Sequence, residues 1–80
     1  MINLQEFIDG FKKCEIQLGD KVWVFREPKI CDINLWFLEM LEKYCIQGEY
    51  KEFKNILDNE LPITKQKEVI ELIVKELGLG

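Results

Sequence analysis

The stretch from Cys14 to Arg26 constrains this chain more than any other. Cys14 to Leu18 alternates strictly between apolar and polar, Gly19-Asp20 supplies a turn, and Lys21 to Arg26 carries the β-branched and aromatic residues of a returning strand. This is the pattern of a β-hairpin with a two-residue loop. Such a loop pairs Leu18 with Lys21, Ile16 with Trp23 and Cys14 with Phe25. Cys14, Ile16, Leu18, Trp23 and Phe25 then share one face, and Glu15, Gln17, Val22, Val24 and Arg26 take the other. A slip of one residue would mix the two sets, so pattern and turn chemistry specify the same register. A lone hairpin is marginal in water. Its Trp23 face is therefore expected to pack on helices, and the edge from Cys14 to Leu18 is expected to stay open to a further strand.

Helical signals flank the hairpin on both sides. Asn3 followed by Glu6 fits a capping box, Ile2 and Phe7 fit a hydrophobic staple, and Leu4, Phe7, Ile8 and Phe11 form a narrow apolar stripe. A short lid helix from Leu4 to about position 13 is expected. After Pro28, the segment from Cys31 to Ile46 reads as a central helix with Asp32 as its N-cap. Ile33, Trp36, Phe37, Met40, Leu41 and Tyr44 fall on its stripe, widened by Leu38 and Cys45 to roughly 200°. Gln47-Gly48 breaks or kinks it. Tyr50, Phe53 and Leu57 mark a shorter helix from Glu49 to Asp58. Thr64 is placed to cap a last helix to Leu77, with Gly78 at a left-handed stop and Leu79 folding back on Val74. The expected fold is α+β and mostly helical: an N-terminal helix (1–13), one β-hairpin (14–26) and a three-helix half (32–77), within a single domain spanning 1–80.

Several functional classes fit poorly. The net charge is −4 and there is no His, whereas nucleic-acid binding rests on clustered Lys and Arg. A helix-turn-helix from Glu49 to Leu77 would carry Glu68, Glu71 and Glu76 toward phosphates. No nucleic-acid partner is expected. General acid-base chemistry usually draws on His or a buried carboxylate set, and the pairs Glu39/Glu42 and Glu49/Glu52 read as solvated helix faces, so neither catalytic nor metal-binding residues are assigned. The chain is read as a non-enzyme without a cofactor. Cys14, Cys31 and Cys45 are odd in number and lack any C-x-x-C spacing, which makes them small buried hydrophobes in a reducing compartment. No stretch has the basic and apolar regions of a signal peptide, and the longest apolar run, Leu35 to Leu38, is far below a membrane span. A cytoplasmic location without membrane association is expected.

What remains is a surplus of apolar surface. The central and last helices both have arcs near roughly 200°, wider than one contact face needs. Leu35, Leu38, Ile46 and Leu72 sit at the outer margins of those arcs, where a monomer would leave them wet. These four are the candidate partner interface, and a protein partner with self-association is the expected role.

The element order also resembles a known family. A short N-terminal helix, a strand, a Gly-Asp turn, a strand ending KVWVFREP and an acidic, Leu-rich half opening DINLWFLEMLEKY resemble the small tail assembly chaperones of long-tailed bacteriophages. The likeness covers about Asn3 to Tyr44. It implies a non-enzymatic protein of the host cytoplasm that forms a homo-oligomer and sheathes a long helical client, the tape-measure protein, during tail assembly. The other reading is a small cytosolic adaptor or inhibitor that binds one enzyme or regulatory protein.

Overall fold

The computed structural model describes residues 1–79 of the 80-residue chain. Among them are α1 (Leu4–Asp9), β1 (Lys13–Leu18), β2 (Lys21–Arg26), a 3₁₀ turn (Ile30–Asp32), α2 (Phe37–Lys43), β3 (Cys45–Gln47), α3 (Tyr50–Asn59) and α4 (Ile63–Glu76). The fold is α+β and mostly helical, with one antiparallel sheet ordered β1-β2-β3.

The hairpin forms in the expected register: Cys14 pairs with Phe25, Ile16 with Trp23 and Leu18 with Lys21. Gly19 has φ +62° and no non-Gly residue has positive φ, so the turn is of the II′ kind, matched to the right-handed twist of the strands. The Trp23 face packs on the helices. Cys14, Trp23 and Phe25 join Leu41, Phe53, Leu57, Ile73 and Leu77 in one core. Phe53 sits between the two strand aromatics, its ring centroid 5.7 Å from Trp23 and 5.2 Å from Phe25. Tyr50 meets the edge of Phe25 at 6.5 Å and 89°, a favoured arrangement of ring quadrupoles.

The principal departure is in residues 31–46, which do not form one helix. Asp32 is not a helix N-cap. The chain makes 3₁₀-type hydrogen bonds, from Asp32 N to Lys29 O at 3.0 Å and from Ile33 N to Ile30 O at 3.2 Å. A helix begins only at Phe37, with Trp36 at its N-cap. It ends at Lys43 because the next residues are drawn into the sheet: Phe25 pairs with Cys45 and Val24 with Gln47, across a bulge. The wide apolar arc is therefore divided among a tight turn, a two-turn helix and a strand, and each sends its apolar residues in its own direction.

The third strand also corrects the hairpin's outer face. Val24, expected in solvent, is 6% exposed. As a central-strand residue it is flanked by Glu15 on one side and Gln47 on the other. The edge of β1 beyond the hairpin stays unpaired. Cys31 is exposed and Cys45 half-buried, and only Cys14 is fully buried, because the turn at 30–32 lies outside the core. Thr64 makes no cap; α4 starts at Ile63, two residues earlier than a Thr64 cap would place it, behind Pro62. Its end is as expected. Gly78 has φ +73°, Leu79 N donates to Val74 O at 2.9 Å and Gly78 N to Lys75 O at 3.1 Å, the paired bonds of a Schellman stop.

Candidate functional site

Helix α1 forms because Asn3 accepts a hydrogen bond from Gln5 N at 3.1 Å, but it covers nothing. None of its residues is buried. Leu4, Phe7 and Ile8 are 71%, 72% and 64% exposed, so the stripe read as the underside of a lid faces water. It ends at Gly10, earlier than expected.

Phe7 and Ile8 of this stripe, with Gly10, form one wall of a cleft of about 500 Å³, whose floor and far wall are Phe11, Arg26, Pro28 and Ile30. The root of the cleft is fixed. Glu27 N donates to Lys12 O at 2.8 Å, and Lys12 N donates to Glu27 Oε1 at 3.0 Å. The Arg26 guanidinium lies over the Phe11 ring at 3.8 Å, a cation–π contact on a half-buried aromatic. On the far wall Ile30 is 86% exposed; Ile33, which follows the 3₁₀ turn and lies outside the cleft lining, is 69% exposed.

A polar clamp holds that wall to α2. The Tyr44 hydroxyl donates to Asp32, Lys43 Nζ meets Asp32 Oδ1 at 2.9 Å, and Lys29 N donates to the Tyr44 oxygen at 3.1 Å. Lys43, and after it Tyr44, stabilise the charged carboxylate and hold the Asp32 pKa below its usual range. The same bonds push the Lys43 and Tyr44 pKa values up.

The residues expected at the interface lie elsewhere and in four different segments. Leu35 is half-buried at the bend before α2. Leu38 packs against the core and lines a shallow cleft of about 300 Å³ with Glu39, Glu42, Tyr50 and Lys54. Ile46 is 50% exposed on β3, and Leu72 is 60% exposed on the outer face of α4. The surface around Leu72 and the cleft beside Leu38 share no residue. The exposed residues missed in the sequence are Leu4, Phe7 and Ile8 with Ile30 and Ile33. The stripe of α1 is legible in the sequence; the surface it meets is not, because that depends on the path of the chain after Pro28.

Cys14 offers no nucleophile. Burial, then the adjacent Glu76 carboxylate, pushes its thiol up to about 12, so it stays protonated at neutral pH. No described helix is long and apolar enough to cross a membrane. No known protein family, curated protein or solved structure matches this chain.

Proposed function

We propose that this chain is a non-catalytic assembly factor that associates with copies of itself and holds a long helical client in the cytoplasm. It would act as the phage tail assembly chaperones it resembles do with the tape-measure protein. The observation that carries this reading is the placement of the large apolar side chains. Phe7, Ile8 and Ile30, brought together in one cleft, are 72%, 64% and 86% exposed, although the core could use more apolar volume in so small a domain. Contiguous exposed apolar surface with a polar rim marks a protein-binding site. A client helix presents its own apolar stripe to such a cleft, with anchors at i, i+3, i+4 and i+7.

A second consideration favours an assembly factor over a single-target adaptor. Apolar surface occurs in separate places: the cleft beside α1, the cleft beside Leu38, and the outer face of α4 at Leu72. An inhibitor of one enzyme needs one such face, whereas a factor that contacts both its own copies and a client needs at least two.

The test is co-expression with a long amphipathic helical protein of the tape-measure kind, followed by light scattering of the purified complex. Several copies per client are expected. A fixed complex of one copy with one client would favour the adaptor, and no complex at all would remove the chaperone reading.

A further inference from the structure

We infer that the cleft between α1 and the Pro28–Ile30 wall is the site where a second copy of this chain docks, through reciprocal packing of the two α1 helices about a two-fold axis. The inference rests on the assembly-factor reading for its biological sense, and on charge, exposed apolar anchors and a fixed wall for its physical warrant.

Charge complementarity identifies the occupant. Within Leu4–Asp9 the only ionisable residues are Glu6 and Asp9, so α1 is an apolar helix with an acidic flank. The cleft that it would enter on another copy is apolar with a basic rim, Arg26 and Lys29. Its one acid, Glu27, already accepts from Lys12 N. Arg26 and Lys29 form no salt bridge among the described residues. A helix with the sequence of α1 thus fits the cleft of its own chain's copy in both apolar and ionic character. Because each copy carries both the acidic helix and the basic rim, a two-fold arrangement satisfies the two contacts at once and closes the assembly.

The apolar side chains that line the cleft are well presented: Phe7, Ile8 and Ile30 are 72%, 64% and 86% exposed, with the Pro28 ring and the Lys29 stem beside them. The walls are also prepared for docking. Arg26 on Phe11 and the Glu27–Lys12 bonds fix the root of α1, while the Tyr44–Asp32–Lys43 clamp holds the opposite wall. The ordering that association costs therefore falls on α1 itself.

Sedimentation equilibrium of the full chain at several concentrations, with two kinds of variant, tests the inference. Phe7→Glu removes the central anchor of a helix with no buried residue, so the core should persist; near-UV circular dichroism from the Trp23–Phe25–Phe53 cluster checks that it does. The parent is expected to dimerise, and Phe7→Glu to raise the dissociation constant at least tenfold. The charge test uses E6K/D9K in one chain and K29E in another. Each alone should dissociate at least tenfold more readily than the parent, and mixing them in equal amounts should restore dimer, since acidic rim then meets basic helix and basic rim meets acidic helix. Dimers indifferent to Phe7→Glu, or variants that fail to recover on mixing, would overturn the inference and place self-association on another face. A parent that stays monomeric at high concentration yet binds a helical client would overturn it while leaving the assembly-factor reading intact. A parent that dimerises in this way but holds no client would support it while removing that reading.

Discussion

Gly48 lies against the indole of Trp23 so closely that a β-carbon at position 48 would come within 2.6 Å of Trp23 Cδ1 and 2.7 Å of Val22 O. Its φ of +90° is also outside the range that L side chains ordinarily adopt. Close approach and backbone conformation both require glycine here. The relationship explains how α3 can follow the three-residue strand β3 almost at once. The chain must reverse from β3 into α3 across the edge of the Trp23 ring, whose Nε1 donates to Glu49 O at 2.8 Å. Gly48→Ala is expected to destabilise the fold by about 3 kcal/mol, from backbone strain together with displacement of the indole, as read by urea denaturation. A neutral Gly48→Ala would mean that the β3–α3 connection is not built this way.

The central strand sets the order of core substitutions. Trp23→Ala should cost about 3 to 5 kcal/mol. Val24→Ala should cost about 2 kcal/mol, because the side chain is buried between two neighbouring strands instead of lying on an open face. Ile46→Ala, on the exposed side of β3, should cost less than about 0.5 kcal/mol. A Val24→Ala loss as small as that of Ile46→Ala would place β3 off the sheet.

The hairpin was readable from the chain because its information is local. Period 2 and a Gly-Asp turn determine which residues face which, and no distant partner has to be known. Residues 31–46 were not readable in the same way. Their apolar positions satisfy a helical stripe throughout, and what divides them is non-local: β2 has a free edge that Cys45–Gln47 can pair with, and a Trp23 ring that Gly48 can skirt. Backbone pairing to an existing edge overrides a moderate helical preference. The same division explains the interface residues. Leu35, Leu38 and Ile46 were grouped as the margin of one helix, and they lie in a bend, a helix and a strand. The stripe of α1 was seen, but what it covers depends on the path after Pro28, which period and propensity do not encode.

Thiol reactivity separates the three cysteines. Cys31 is exposed and should react with iodoacetamide at mildly alkaline pH in the native state. Cys14, buried and pushed up to about 12, should react only as the protein unfolds, with Cys45 between them. Mass spectrometry of tryptic fragments over a time course gives the order. Early labelling of Cys14 would contradict its place beneath α4.

The clamp at Asp32 has a definite pH signature. Its carboxyl pKa is lower in the folded chain than in the unfolded one, so its contribution is complete above the ordinary carboxylate range and is lost as pH falls through the depressed folded value. The stability difference between the parent and Asp32→Asn should shrink as pH falls from above the ordinary carboxylate range through the depressed folded value. At the alkaline end the raised Lys43 value means that its share is complete below the usual lysine range and is lost as pH rises through the raised folded value. Denaturant midpoints of the two proteins across this range are the measurement. A difference that stays constant with pH would mean that the carboxylate is not clamped.

Trp36 and Trp23 report on different parts of the molecule. Trp23 is 2% exposed and Trp36 79%. Trp36→Phe should therefore leave a blue-shifted emission that resists quenching by acrylamide, and Trp23→Phe a red-shifted emission that is readily quenched. Similar spectra from the two variants would contradict the separation of core and surface described above.

Amide hydrogen exchange of α1 as a function of protein concentration bears most closely on the role assigned to the apolar surface. A six-residue helix with no buried side chain has little stability of its own. In dilute solution the amides of Phe7 to Asp9 should exchange nearly as fast as in an unfolded chain, while those of β2 stay protected. Raising the concentration should slow exchange at Phe7 to Asp9 in parallel with the rise in sedimenting mass. Fast exchange in α1 at every concentration, with the mass fixed at that of one chain, would contradict the account.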